Sequence, residues 1–159
     1  NATAILNVYQ VNNDAEVESV ATDLAGDRFI GFSTWRWADL QAKTGGNKPV
    51  YRYFYARPRP AMVAAKGAVH SAEIEYAMGN LSLNTTFDWT KDDYTVSSTM
   101  QTYFANFIKT GNPNGAGVPK WPATNSNNPV PVMRIDVKTI LEKDTSEARF
   151  KLLEKLAGN

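Results

Sequence analysis

One side chain in this sequence is suited by its ordinary acidity to move a proton near neutral pH, and it is His70, the only histidine of the chain. It lies in Gly67-Ala68-Val69-His70-Ser71-Ala72-Glu73-Ile74-Glu75-Tyr76-Ala77-Met78-Gly79-Asn80. By residue type alone a lone histidine is more often a surface or satisfied core residue than a catalyst, so its surroundings must decide. A serine nucleophile needs a tight strand-to-helix elbow of the form G-x-S-x-G. Gly31-Phe32-Ser33-Thr34-Trp35 comes nearest, but it lacks the second glycine and falls inside a predicted helix. Glu73 and Glu75 could be taken for the acid that orients an imidazole. A carboxylate so close in sequence usually caps or solvates a short helix instead, and this is the reading favoured for both.

Composition closes off other chemistries. The chain has no cysteine and one histidine, which removes the usual zinc sites, and no calcium-binding D-x-[DN]-x-[DN]-G loop is present. Neither a metal nor a cofactor is expected. A formal net charge of +1, with no run of like charges, gives no footprint for nucleic acid. Apolar runs are only a few residues long, well short of the roughly 18 that a membrane span requires, so the chain reads as soluble. Asn1-Ala2 reads as the remnant of a cleaved affinity tag, and no apolar signal segment follows. Triplets of the form N-x-[ST] at Asn1, Asn80 and Asn84 arise easily by chance, so localisation stays open, with secretion or the periplasm compatible.

The elements that must position His70 can be read from spacing. Val17, Val20, Ala21 and Leu24 mark one face of a helix from Asp14, with Gly26 as its break. A second helix is predicted from about Arg28 to Lys43, stopped by Thr44-Gly45-Gly46-Asn47 and Pro49. Val50 to Ala56 has the composition of a strand, ended by Arg57-Pro58-Arg59-Pro60. Met100, Tyr103, Phe104, Phe107 and Ile108 place a helix over Ser97 to Thr110, stopped at Gly111-Asn112-Pro113. Val130 to Asp136 alternates as a strand, which Pro131 assigns to an edge. A last helix starts near Asp144 or Thr145 and carries Phe150, Leu153 and Leu156. At 159 residues a single domain is the default. Yet two strands among long helices are too few for a closed parallel sheet, and the chain reads as part of a larger α/β fold.

The stretch around His70 resembles the histidine signature of type-B carboxylesterases and cholinesterases, in which a small residue, the histidine, two more residues and an acidic-apolar-acidic triplet follow a strand. Further segments match that family in order. They are Asp23-Leu24-Ala25-Gly26-Asp27, Tyr51-Arg52-Tyr53-Phe54, Phe104-Ala105-Asn106-Phe107 leading into Lys109-Thr110-Gly111-Asn112-Pro113-Asn114, then Lys120-Trp121-Pro122 and Met133-Arg134-Ile135-Asp136. The resemblance spans nearly the whole chain and is similar to the C-terminal part of bacterial para-nitrobenzyl esterases.

That resemblance implies a C-terminal segment, residues 1–159, of an α/β-hydrolase, helix-rich and carrying the last strands of the sheet. It implies His70 as catalytic base of a serine esterase acting on small carboxylic esters, with nucleophile and acid absent from this chain, which alone would be inactive. Met62, Val69 and Ala72 would line the substrate pocket. They are aliphatic or small, so the aromatic cage that attracts a choline ester is not expected. Asp27 at the start of the second helix would pair with Arg149 in the last. A piece of a larger sheet would also expose a strand edge through which copies could associate. The competing expectation is an esterase-like interaction module without a working triad.

Overall fold

The computed structural model describes residues 2–46, 48–60, 67–124 and 132–158. These divide into two compact units, one drawn from residues 1–50 and 144–159 and the other from residues 51–143.

In the first unit, α1 (Ala2–Val8) is followed by α2 (Asp14–Gly26). Asn13 caps α2, its side chain accepting the Ala15 N–H at 3.1 Å, while Glu16 reaches back to the Asn12 N–H at 2.9 Å. This satisfies amide groups that the first turn of a helix leaves without partners. The expected break at Gly26 does not occur. Gly26 keeps helical angles (φ −64°, ψ −42°), and the chain runs through a π-helical turn, Asp27–Gly31, straight into α3 (Phe32–Thr44). Glycine permits a break but does not impose one, and here the wider turn accommodates the inward-facing Asp27. α3 ends at Gly45-Gly46, with Gly46 at φ +63°, as the sequence suggested. α6 (Glu147–Leu156) buries Phe150 and Leu153, with the Phe150 ring 5.7 Å from that of Trp35, and Arg36 pairs with Glu154.

The second unit holds a three-stranded sheet. β1 (Tyr53–Tyr55) runs parallel to β2 (Val132–Ile135), and β2 is antiparallel to β3 (Ile140–Glu142). β2 is therefore the middle strand of the described sheet and not an edge. Its first described residue, Val132, already pairs with Glu142, and Pro131 lies outside the described residues. β3 had no counterpart in the sequence reading. α4 (Ile74–Met78) follows the His70 segment, and α5 (Lys91–Thr110) lies against it. α5 begins six residues before the predicted Ser97 and stops at Gly111, which takes the left-handed conformation (φ +73°). The core gathers Tyr55, Ala72, Tyr76, Val96, Met100, Tyr103, Trp121, Met133 and Ile135. The Tyr51, Tyr53 and Tyr103 rings meet Trp121 edge-on at 5.9, 6.0 and 5.1 Å, the geometry that ring quadrupoles favour.

Among the described residues no helix is long and apolar enough to cross a membrane.

Candidate active-site segment

His70 opens a turn, residues 70–73, between the strand-end arginines and α4, and its side chain is exposed. Ser71 has φ +65°, the one positive φ of a non-glycine residue among those described. An L-residue held there costs roughly 1 to 3 kcal/mol, a conformation that persists only where surrounding contacts impose it. The Ala72 N–H returns to the Val69 carbonyl at 3.1 Å, closing the turn. Ala72 is fully buried in the core, while Val69 is 61% exposed. The two neighbours of the expected pocket thus present their side chains differently, one to the interior and one to solvent. Met62 lies outside the described residues.

Arg59 grips the turn. Its Nη2 donates to the Ser71 carbonyl at 3.1 Å, and its Nε lies 2.9 Å from Glu75 Oε2. The Asn84 amide donates to the other oxygen of Glu75, and the guanidinium lies 5.6 Å from the Phe87 ring centroid. Glu75 thus holds structure through one accepted hydrogen bond and an ion pair with Arg59. Glu73 stands at the N-cap position of α4 but makes no side-chain capping bond there.

Behind the turn is a wholly buried carboxylate, Asp93. Arg57 Nε and the Tyr76 hydroxyl donate to Oδ1 at 2.7 and 2.8 Å, and the Thr90 N–H donates to Oδ2 at 2.8 Å. The Thr90 hydroxyl donates to the same Oδ2 at 2.5 Å and completes a capping box with the Asp93 N–H at the start of α5. Burial pushes the Asp93 carboxyl up, but the bonds from Arg57, Thr90 and Tyr76 outweigh it and hold the group at about 2. Tyr76 is pushed up to about 12, first by burial and then by its bond to Asp93, so it remains a donor. Three elements converge on this one carboxylate: the end of β1 through Arg57, α4 through Tyr76, and α5 through its own cap. Ser97 adds a bond to the Tyr76 carbonyl at 2.7 Å.

This cluster was missed in the sequence, although the Thr90-x-x-Asp93 spacing is a recognisable capping signature. Arg57 and Arg59 left no comparable signal, because their partners lie far along the chain.

In the first unit, Arg149 Nε meets Asp27 Oδ2 at 2.7 Å, and its Nη1 meets Asp23 at 2.7 Å. The Tyr9 hydroxyl also donates to Asp27 at 2.9 Å. Burial raises the Asp27 carboxyl despite the bond from Tyr9 and the charge of Arg149. Ser33 sits near the start of α3, its hydroxyl donating to the Ile30 carbonyl at 3.0 Å, with no strand leading into it.

Comparison with known proteins places this arrangement. The model of the Carboxylesterase family matches residues 2–153. The chain is 32% identical over 142 residues to the esterase cest-33 of Caenorhabditis elegans, covering 84% of this chain and 26% of that protein. It is 34% identical over 126 residues to carboxylesterase 5A of Canis lupus familiaris, covering 72% of this chain and 21% of that protein. The chain therefore spans about a quarter of the length of these relatives. Among solved structures it superposes on carboxylesterase EST55 of Geobacillus stearothermophilus with a TM-score of 0.75 and 22% identity, over 94% of this chain and 31% of that one. A PNB esterase aligns with a TM-score of 0.55 and 30% identity over 65% of this chain and 22% of its own. These neighbours share the α/β-hydrolase fold, to which helices and a small mixed sheet of this kind contribute one part. With a family match running over nearly all its residues, the chain belongs to the carboxylesterase family.

Proposed function

We propose that this chain is the C-terminal part of a serine carboxylic ester hydrolase, to which it supplies the catalytic histidine, His70, and one wall of the substrate pocket. What carries the reading is the combination of an exposed imidazole with a turn whose Ser71 carbonyl is bonded by Arg59. A general base must reach the proton it removes yet not wander, and an exposed side chain on a held turn supports that reading.

In this reading the nucleophilic serine and the orienting carboxylate come from sequence outside these 159 residues. His70 takes the serine proton as the oxygen attacks the ester carbonyl and returns it to the departing alcohol. It then takes a proton from water and returns it to the serine as the acyl-enzyme is hydrolysed. Val69, exposed beside it, faces the substrate, Ala72 supports the turn from the core, and Met62 joins the pocket on the family resemblance alone. Small carboxylic esters are the substrate class. Self-association through an exposed sheet edge belongs to the same proposal.

The test compares p-nitrophenyl ester hydrolysis by this chain, by the full-length protein that contains it, and by free imidazole at equal concentration. The chain alone is expected to be no faster than imidazole, and the full-length protein faster by orders of magnitude. An inert full-length protein, lacking serine at its G-x-S-x-G position, would favour an esterase-like interaction module instead.

A further inference from the structure

We infer that Arg59 is a positioning residue for His70, an inference that rests on the reading of His70 as the catalytic base. Its guanidinium sets the carbonyl that follows His70 and thereby the direction in which the imidazole leaves the chain.

The geometry is specific to arginine. Nη2 donates to the Ser71 carbonyl at 3.1 Å, while Nε of the same rigid plane lies at ion-pair distance, 2.9 Å, from Glu75 Oε2 without an aligned hydrogen bond to it. The plane is held in turn. Phe87 lies 5.6 Å from the guanidinium carbon, and the Asn84 amide fixes the far oxygen of Glu75. Asn84 is itself tied into its loop, its side-chain oxygen accepting the Thr86 N–H at 3.0 Å and its carbonyl accepting the Trp89 indole N–H at 2.8 Å. The accepting residue on the turn is the one with φ +65°, the conformation most in need of an external hold. A lysine at position 59 could keep the charge pair with Glu75, but it lacks the rigid plane that sets a second nitrogen on the Ser71 carbonyl. Arg59→Lys therefore separates support of the fold from aim of the turn.

The experiment measures backbone 15N order parameters of His70, Ser71 and Ala72 in the whole chain, wild type and Arg59→Lys, beside their melting temperatures. In the wild type the three amides should be rigid, at about 0.85, and in Arg59→Lys they should fall below about 0.6 with little change in melting temperature. In the full-length esterase the same substitution should lower kcat by about 10- to 100-fold and leave KM within about twofold. A mobile turn in the wild type, a rigid turn in Arg59→Lys, a global loss of fold in that variant, or an unchanged kcat with a mobile turn would each overturn the inference. The order parameters report the clamp whether or not His70 is the base. Failure of the base assignment would appear separately, as full activity in His70→Ala.

Discussion

Replacing Asp93 by asparagine removes one charge from the best-enclosed polar cluster of the chain while keeping its shape. Two estimates bound the cost. Asp93 is fully buried and its carboxyl is held at about 2, against about 3.9 in an unfolded chain, so its ionised form contributes roughly 2.5 kcal/mol above pH 5. Asparagine cannot accept through its NH2 group, so one of the donors from Arg57, Tyr76 or Thr90 loses its acceptor. A buried donor left without a partner costs about 1 to 3 kcal/mol more. Arg57 keeps some access to water, which favours the lower end, and the expected total is about 3 to 4 kcal/mol. With a urea slope near 2 kcal/mol/M, the unfolding midpoint should fall by about 1.5 to 2 M. The pH dependence adds a second constraint. A depressed folded pKa gives stability that is complete above the unfolded value and disappears as pH falls through the folded one, so the gap between wild type and Asp93→Asn should narrow between about pH 5 and pH 2. Urea titrations at pH 7 and pH 2.5 would check both points. A gap below about 0.5 kcal/mol at pH 7, or one of equal size at both pH values, would refute the account of this cluster.

Asp27→Asn should cost less than Asp93→Asn, under about 1.5 kcal/mol by chemical denaturation, because Arg149 retains Asp23 and the Tyr9 hydroxyl can still donate to the asparagine oxygen. Since burial raises the Asp27 carboxyl, its ionisation opposes folding. Its contribution is largest below the unfolded pKa and fades as pH rises through the folded one, the reverse of Asp93. Gly79→Ala should destabilise by about 1 to 2 kcal/mol in a thermal melt, as Gly79 closes α4 at φ +67°. Trp121→Ala should cost about 3 to 5 kcal/mol, read by the same denaturation curves, because three tyrosine rings pack on the indole. Light scattering at high concentration should detect oligomers, and a monomer at every concentration would remove the strand-edge association.

Local signals carried much of this structure into view. The spacing of Met100 and Tyr103 gave α5, and Gly111 gave its end, because both effects act within a few residues. Pairing of Asp27 with Arg149 rested on family resemblance together with spacing, and the structure brings the two groups to 2.7 Å. Gly26 misled because a glycine's freedom is used only where tertiary packing asks for it. Ile140–Glu142 was overlooked because three residues show no period, and β3 exists by virtue of its partner strand. The contacts of Arg57 and Arg59 lay beyond sequence reasoning for a related reason: the two arginines appear beside two prolines as mere punctuation, and only folding brings them to Asp93, Glu75 and Ser71.

The central claim, that His70 is the base of an ester hydrolase, is tested most directly by kcat/KM for p-nitrophenyl acetate in the full-length protein with His70→Ala. Loss of a catalytic base that works in concert with a nucleophile should lower the value by at least about 10³-fold, with the melting temperature little changed because the side chain is exposed. Added imidazole should recover part of the lost rate. Activity within a few-fold of the wild type, in a properly folded His70→Ala protein, would contradict the assignment.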